Sequence, residues 1–299
     1  MSASVLLHAG AGVGTLVRPP LWPWMLGAVA ANHLVLAGSG LWPRSSLLGP
    51  NWTSLPADAA ARGEVAVTID DGPEPAVTPR VLDLLDEHQA KATFFCIGER
   101  VGRYRELAHE IVQRGHSIEN HSERHLGYFS TLGPRRMADE IQRAQDSISA
   151  ITGVVPMFFR APAGLRNPFL DPVLNRLALR LASWTRRGFD TLNREADKVL
   201  GILTRGVRGG DILLLHDGHA GRTSSGSLLI LEVLPRLLEV LHRSGLQPVT
   251  LRSTLDMTLP AAAPVSAVPG PATSAASAAS AAPAAAADPA IPGPAAPNE

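Results

Sequence analysis

The 299-residue sequence has only one cysteine, Cys96, which excludes an intramolecular disulfide. It has only two lysines, Lys91 and Lys198, so nearly all of its positive charge is arginine. Lysine and arginine together number 27, as do aspartate and glutamate, and there is no long basic run. A chain without net or local positive charge offers no electrostatic surface for nucleic acid, and we expect no such partner.

Acidic and basic residues are also missing between Arg18 and Arg44. Residues 21–42 of this stretch are mostly apolar, and as a helix they are long enough to cross a hydrocarbon layer of ~30 Å. Tryptophans, which favour membrane interfaces, lie near both ends: Trp22, Trp24 and Trp42. We therefore expect residues 1–50 to form an apolar N-terminal segment, with residues 21–42 as a candidate membrane anchor at the cell membrane or envelope.

Three residues of this segment argue against a simple membrane span. Asn32 and His33 lie in its middle, and Pro23 falls in its first turns. A buried N-terminal hairpin is the alternative. A cleaved signal peptide fits less well, because the chain start lacks a charged region. One arginine on each side gives no orientation across a membrane.

The other end of the chain has almost no large apolar residues. From about residue 260 the composition is alanine, proline and serine, which cannot bury enough surface to fold. We expect residues 259–299 to form a disordered low-complexity tail. Residues 51–258 then remain for a single globular domain.

Strand and helix patterns alternate through this middle region. Seven short apolar runs predict strands, at 65–69, 92–97, 117–119, 157–160, 181–184, 211–216 and 248–251. Helical periodicity falls between them, at 79–88, 103–114, 134–152, 193–205 and 228–243, with a further helix start at 167–168. Repeated strand–helix units favour parallel strands, either closed into a barrel or in an open doubly wound sheet.

Chemistry-bearing residues follow several of these strands. Asp70 and Asp71 end the first strand, and His121 and His125 follow the third. Two histidines spaced i, i+4 can face one point from a single helical turn. Two imidazoles and one carboxylate suit zinc, and the second carboxylate is then free for proton transfer. This combination predicts a metal-dependent hydrolase, although each element alone is common in turns and on helix surfaces.

Five segments in order resemble the motifs of the polysaccharide deacetylases, carbohydrate esterase family four. They are residues 68–73 (TIDDGP), 121–125 (HSERH), 160–164 (RAPAG), 184–190 (WTRRGFD) and 213–217 (LLLHD). The resemblance covers residues 62–255 and implies a distorted (β/α)7 barrel. It also implies a catalytic domain that removes N-acetyl groups from an N-acetylated polysaccharide or glycoconjugate and releases acetate.

The resemblance implies a role for each motif residue. Asp70 would be the general base, and a divalent metal, zinc or alternatively cobalt, would be held by Asp71, His121 and His125. Arg160 would keep Asp70 ionised, and the backbone N–H of Ala163 would stabilise the oxyanion. His216 would be the general acid, and the Asp190 carboxylate would orient it. Trp184 and Leu214 would line the acetyl or sugar pocket.

Three motifs depart from the family pattern: Ile69 in the first stands where phenylalanine is usual, a tolerable apolar replacement, and the third and fourth motifs differ as well. Ala163 and Leu165 stand where aromatic residues are common, and Arg187 stands where an acidic residue is common. Arg186 and Arg187 therefore suggest an anionic substrate, such as a lipid-linked or acidic glycan. The other histidines have no motif support and are expected to be structural or exposed, although His219 is close enough to His216 in the sequence to reach the rim of the site.

Two alternatives to the N-deacetylase stay open. The same residues could serve an O-acetyl esterase acting on acetylated polysaccharide, because an alkoxide also leaves with help from an acid. A glycan-binding relative without turnover is the non-enzymatic alternative. An acetylated glycan is the expected partner in each case.

Overall fold

The computed structural model describes residues 2–255, so the predicted tail at 259–299 lies outside the described residues. In the part that it describes, eight strands form one curled, wholly parallel sheet. The strands are β1 (Glu64–Gly72), β2 (Thr93–Cys96), β3 (Ser117–Asn120), β4 (Phe158–Phe159), β5 (Arg180–Leu181), β6 (Arg186–Arg187), β7 (Ile212–His216) and β8 (Gln247–Val249). With helices packed outside, this is the distorted (β/α)7 barrel that the sequence predicted.

The spatial order of the strands is β5-β4-β3-β2-β1-β7-β6, and β8 also pairs with β1. β1 is therefore central, and its side chains are buried on both faces, as expected for a near-continuous apolar run. Its register with β7 pairs Asp70 with His216. Because all strands run the same way, the residues at their carboxyl ends meet at one rim.

The predicted strand at 181–184 was wrong in its extent. Two-residue strands flank it instead: β5 pairs with β4, and β6 pairs with β7. Between them the chain bonds to Trp52, which donates to the Leu181 carbonyl and accepts from the Ser183 N–H. The chain between β5 and β6 thus runs from one edge strand of the curled sheet to the other, and Trp52 pairs with it there.

Helices connect the strands over most of the predicted ranges. The helices after the N-terminal region are α3 (Ala57–Ala61), α4 (Thr78–Glu87), α5 (Gly98–Arg103), α6 (Arg105–Gln113), α7 (Pro134–Thr152), α8 (Leu170–Arg176), α9 (Ala196–Thr204) and α10 (Leu229–Arg243). The bounds of α7 are those predicted, because Pro134 suits a first turn and Gly153 ends the helix in the left-handed conformation, φ 71°. The helix predicted at 103–114 is α6 alone, and α5 precedes it.

The N-terminal region is a pair of helices, α1 (Ser2–Val17) and α2 (Trp22–Leu41), joined by a short 3-10 turn at Pro19–Leu21. The sequence analysis did not predict α1. The buried hairpin that it left open is wrong, because large apolar side chains on both helices are exposed, among them Leu16, Trp24 and Leu34. Within residues 2–255, Pro19–Leu41 is the segment long and apolar enough to cross a membrane, by length and composition.

The polar residues of these two helices bond to one another. Asn32 donates to the Ser4 hydroxyl at 2.8 Å, and the Nε2 atoms of His8 and His33 are 3.1 Å apart. The mid-span polar groups that argued against a membrane segment therefore find partners within the hairpin.

Candidate active site

Three side chains from two strand ends converge at the carboxyl rim. Asp71 lies on β1, His121 follows β3 directly, and His125 comes four residues later. One donor atom from each lies within 4.8 Å of the others. Asp71 Oδ1 is 3.3 Å from the Nε2 atom of both His121 and His125. The structure thus brings together the three residues predicted to hold a metal.

The segment that carries the two histidines is a loop and not the predicted helical turn. His121 and His125 do not lie on a helical turn: residues 121–126 are irregular, and Ser122 and His125 have φ values of 65° and 50°. Hydrogen bonds hold this loop. The Asn120 side chain accepts from the Ser122 N–H at 2.8 Å, and the Ser122 hydroxyl accepts from the His125 N–H at 3.1 Å. Polar side chains, rather than helix periodicity, make the two imidazoles converge.

Helix α7 supports the loop from behind. The buried Glu140 carboxylate accepts from the Arg124 N–H at 3.2 Å and from Arg124 Nε at 2.7 Å. Asn120 donates from its amide to the Ile141 carbonyl and to Gln145, both at 2.9 Å. The loop that carries His121 and His125 is therefore fixed to a long, well-packed helix.

The donor set fits a divalent cation. His121 Nδ1 lies 2.8 Å from the Arg160 carbonyl, so it carries the proton and Nε2 faces Asp71 with its lone pair. Burial, with His121 close by, lowers the pKa of His125 to about 4, which keeps that imidazole neutral. Among the described residues, no group donates to the buried Asp71 Oδ1. An unpartnered buried carboxylate oxygen facing two imidazole nitrogens is what a metal site requires.

Arg160 holds Asp70 beside the three donors, with Asp70 Oδ2 3.9 Å from His121 Nε2. Asp70 Oδ1 accepts from Arg160 Nη1 at 2.7 Å. Arg160 is 1% exposed, lies over the Phe95 ring, and donates further to Thr68 and to the carbonyls of Ala182 and Ser183. These hydrogen bonds fix the orientation of the guanidinium, and its bond to Asp70 in turn fixes the position of that carboxylate.

His216 and Asp190 form a second buried pair. Asp190 accepts from the His216 backbone N–H at 2.7 Å and lies 2.9 Å from His216 Nδ1. Burial by itself lowers the pKa of His216, but Asp190, with smaller contributions from Asp70 and Asp71, outweighs burial and raises it to about 9. The imidazole is therefore protonated at neutral pH, with Nε2 left to face the site.

One cavity of about 260 Å³ contains these groups. The residues predicted to bind substrate, Ala163, Trp184 and Leu214, line the same cavity as the carboxylates and imidazoles. Gly164 shapes its wall: it has φ 73°, and a Cβ there would lie 2.5 Å from the Trp184 ring. The site therefore combines a polar centre with an apolar wall.

His219, which was expected at most to reach the rim of the site, contacts Asp71. Its Nδ1 lies 2.8 Å from Asp71 Oδ2, the oxygen that faces away from the loop histidines. The signal in the sequence was proximity: His219 is three residues beyond His216, at the same rim.

The expectation for Arg186 was wrong. Its Nε donates to Asp211 at 2.6 Å, and its two terminal nitrogens donate to the carbonyls of Arg205 and Gly206, each at 2.6 Å. Arg186 therefore fastens β6 to the α9–β7 connection. Arg187, by contrast, lines the cavity.

Comparison with known proteins gives the same family as the site. Residues 57–182 match the family model described as polysaccharide deacetylase. The chain is 32% identical over 193 residues to a peptidoglycan-N-acetylglucosamine deacetylase of Bacillus cereus, covering 64% of this chain and 87% of the relative. It is 34% identical over 163 residues to a chitooligosaccharide deacetylase of Bradyrhizobium sp., covering 54% of this chain and 74% of the relative.

A solved structure of similar fold is a CE4 family pseudoenzyme from Bacillus anthracis, with a TM-score of 0.59, 26% identity and 66% of each chain covered. Together with the curved parallel sheet and its rim, these similarities show that the chain belongs to the polysaccharide deacetylase family, carbohydrate esterase family four. It is thus a hydrolase of the class that acts on linear amides.

Proposed function

We propose that this enzyme is a metal-dependent N-deacetylase of an N-acetylated polysaccharide or glycoconjugate, with acetate as a product. One observation carries the proposal: the Asp71, His121 and His125 donor atoms converge beside an independently held carboxylate, Asp70. The amide substrate class is supported by the names of the two deacetylase relatives, which act on peptidoglycan N-acetylglucosamine and on chitooligosaccharides.

Asp71, His121 and His125 would hold the metal. When bound, the cation would polarise the acetamide carbonyl and lower the pKa of a water molecule. Asp70 accepts the proton of the attacking water, and Arg160 keeps Asp70 oriented for this transfer. The donor set suits zinc, and cobalt is the alternative.

His216 acts at the leaving group. The protonated imidazole donates its proton to the sugar nitrogen as the C–N bond breaks, because an amide anion is too basic to leave. Asp190 holds the imidazole and stabilises its charge. The Ala163 backbone, on the wall of the cavity, would face the carbonyl oxygen, while Trp184 and Leu214 would contact the acetyl group or the sugar.

An O-acetyl esterase activity would use the same groups, and an assay that separates new amines from new hydroxyls distinguishes the two. A non-catalytic glycan-binding role is disfavoured, because the metal-binding and proton-transfer residues all occupy one cavity.

The direct test is acetate release from a panel of acetylated glycans with and without a chelator. We expect activity that is lost with the chelator and restored by zinc. Asp70→Asn should lower kcat by about 10²–10⁴-fold with metal still bound, because only proton transfer is lost. His125→Ala should weaken metal binding itself. Unchanged turnover in Asp70→Asn would contradict the assigned base.

We also propose that the α1–α2 hairpin attaches the enzyme to a membrane at the cell envelope. The support is its exposed apolar surface, its interfacial tryptophans and the internal pairing of Asn32 and His33. The barrel would then lie beside the membrane surface.

A further inference from the structure

Arg187 is a cation in the catalytic cavity without an anionic partner. It lies at the end of β6 and lines the cavity that contains Asp70, Asp71 and His216. Across residues 2–255, its side chain forms no ion pair and no hydrogen bond, and its Nε atom is buried without an acceptor. Each of the three guanidinium nitrogens of its neighbour Arg186 donates to an acceptor inside the fold, so this absence is particular to Arg187.

Two aromatic rings hold the Arg187 guanidinium in place. Its Cζ atom is 5.4 Å from the centroid of Trp184 and 5.1 Å from that of Phe189. The chain is also constrained beside it, because a Cβ at Gly188 would lie 2.7 Å from Val199. Stacking leaves the in-plane N–H donors free, and a held planar fork matches a carboxylate or phosphate well.

The carboxylates of the site are already engaged, so they do not supply the missing anion. Their partners are Arg160 for Asp70, His216 for Asp190 and His219 for Asp71. A buried donor of a charged group is costly when it has no acceptor. The cavity is small, so an anion that reached Arg187 would belong to the acetylated sugar or to its direct neighbour.

From these observations we infer that Arg187 determines specificity by binding an anionic group of the substrate, either a carboxylate or a phosphate. The inference rests on the proposed deacetylase function and narrows its substrate class to acidic acetamido glycans. Arg187 touches the substrate away from the scissile bond, so its contribution is to binding and selectivity.

The test compares three sugars with the full-length, zinc-loaded protein in detergent. They are N,N′-diacetylchitobiose, which is neutral; the N-acetylglucosamine–N-acetylmuramic acid disaccharide, which carries a carboxylate; and N-acetylglucosamine 1-phosphate. Acetate release gives kcat and KM, and calorimetry gives the binding of each sugar. The wild type should prefer one anionic sugar over the neutral one by tenfold or more in kcat/KM, and added salt should reduce the preference.

Arg187→Gln should reduce that preference about ten- to a hundredfold, mainly through KM, because one charge-assisted contact is lost. Arg194→Gln is the matched control: it removes the same charge from an exposed residue nearby, and the preference should stay within about twofold. Comparison of the carboxylate sugar with the phosphate sugar identifies which anionic group Arg187 binds.

Equal loss on all three sugars in Arg187→Gln, or no anion preference in the wild type, would overturn the inference. If the wild type releases acetate from all three sugars without preferring an anionic one, the role of Arg187 is overturned while the proposed deacetylase function stands. Anion-selective binding that depends on Arg187, without turnover of any sugar, supports Arg187 and overturns the proposed deacetylase function instead.

Discussion

Two adjacent carboxylates have different partners because of one backbone irregularity. In a regular strand, Asp70 and Asp71 would point to opposite faces of the sheet. Asp71 has φ 74°, and the register of β1 with β2 shifts between Asp70 and Gly72, so both side chains reach the same cavity. Asp70 then meets Arg160, and Asp71 meets the imidazoles.

His219 is expected to position Asp71 for metal binding. Its N–H occupies Asp71 Oδ2 and so leaves Oδ1 free to be a ligand. His219→Ala should weaken zinc binding about 10–100-fold, as loss of a supporting hydrogen bond does elsewhere. His219→Asn, which keeps a donor near the Nδ1 position, should recover most of the affinity. Competition with a chromophoric chelator measures both.

The control for this prediction is His109→Ala, which removes an exposed histidine on α6 that does not line the cavity. Zinc affinity of His219→Ala within twofold of the wild type would show that His219 does not position Asp71.

The Asp190–His216 pair predicts the alkaline limb of the pH profile. His216 must be protonated to act as an acid, and its raised pKa, about 9, keeps it so at neutral pH. A bound dication repels the imidazolium, so the limb should fall below pH 9. Asp190→Asn removes the carboxylate that raises the pKa of His216 most, while burial, which lowers that pKa, remains. The alkaline limb should therefore move down by more than one pH unit. Profiles of kcat/KM check this; a limb that stays in place would contradict the pairing.

At the scale of elements, α7 determines the conformation of the loop that carries His121 and His125. Glu140 joins that helix to Arg124 in the middle of the loop, and Asn120 joins it at the end of β3. Neither contact follows from the periodicity that predicted α7: the spacing from Met137 and Ala144 places Glu140 on the buried face but does not identify Arg124 as its partner.

Glu140→Ala should therefore loosen the loop and weaken zinc binding at least tenfold. Loss of the buried bonds to Arg124 should lower the free energy of unfolding by about 1–3 kcal/mol. Glu140→Gln, which keeps an acceptor, should lose less of both. Asp139→Ala, at the exposed neighbouring position, is the control and should change neither. Wild-type metal affinity in Glu140→Ala would mean that the loop keeps its conformation without the contact to Glu140.

At the scale of the whole molecule, the hairpin and the barrel are joined by a segment that belongs to both. Gly40 accepts from the Arg166 N–H at 3.1 Å, Pro43 accepts from the Ser183 hydroxyl at 2.6 Å, and Trp52 bonds to the chain after β5. Residues 40–55 thus complete the barrel wall beside the cavity.

Deletion of residues 2–38 removes the exposed apolar helices and spares these contacts. The shortened protein should remain in the supernatant with phospholipid vesicles, whereas the full chain should sediment with them. Acetate release should stay within about threefold, because the cavity is intact. Sedimentation of the shortened protein to the same extent would place the membrane contact on the barrel.

The strongly periodic parts of the chain could be predicted, and the irregular ones could not. α7 and the ends of β1 and β7 follow from apolar spacing and from the residues at their boundaries. The short strands β5 and β6 pair with β4 and β7, and the chain from Leu181 to Ser183 bonds to Trp52, more than a hundred residues earlier, so no local pattern could give this arrangement. His219 and the inward use of Arg186 likewise depend on partners distant in sequence.

The sequence by itself determined the parallel strand–helix architecture and the residue types gathered at its rim, because apolar periodicity is a local property and a helix between consecutive strands favours parallel pairing. Only the tertiary structure decided which oxygen of Asp71 stays free and that His219 occupies the other. It also decided that of two adjacent arginines one is tied into the fold while the other faces the cavity, because packing between distant segments sets each side chain's partners.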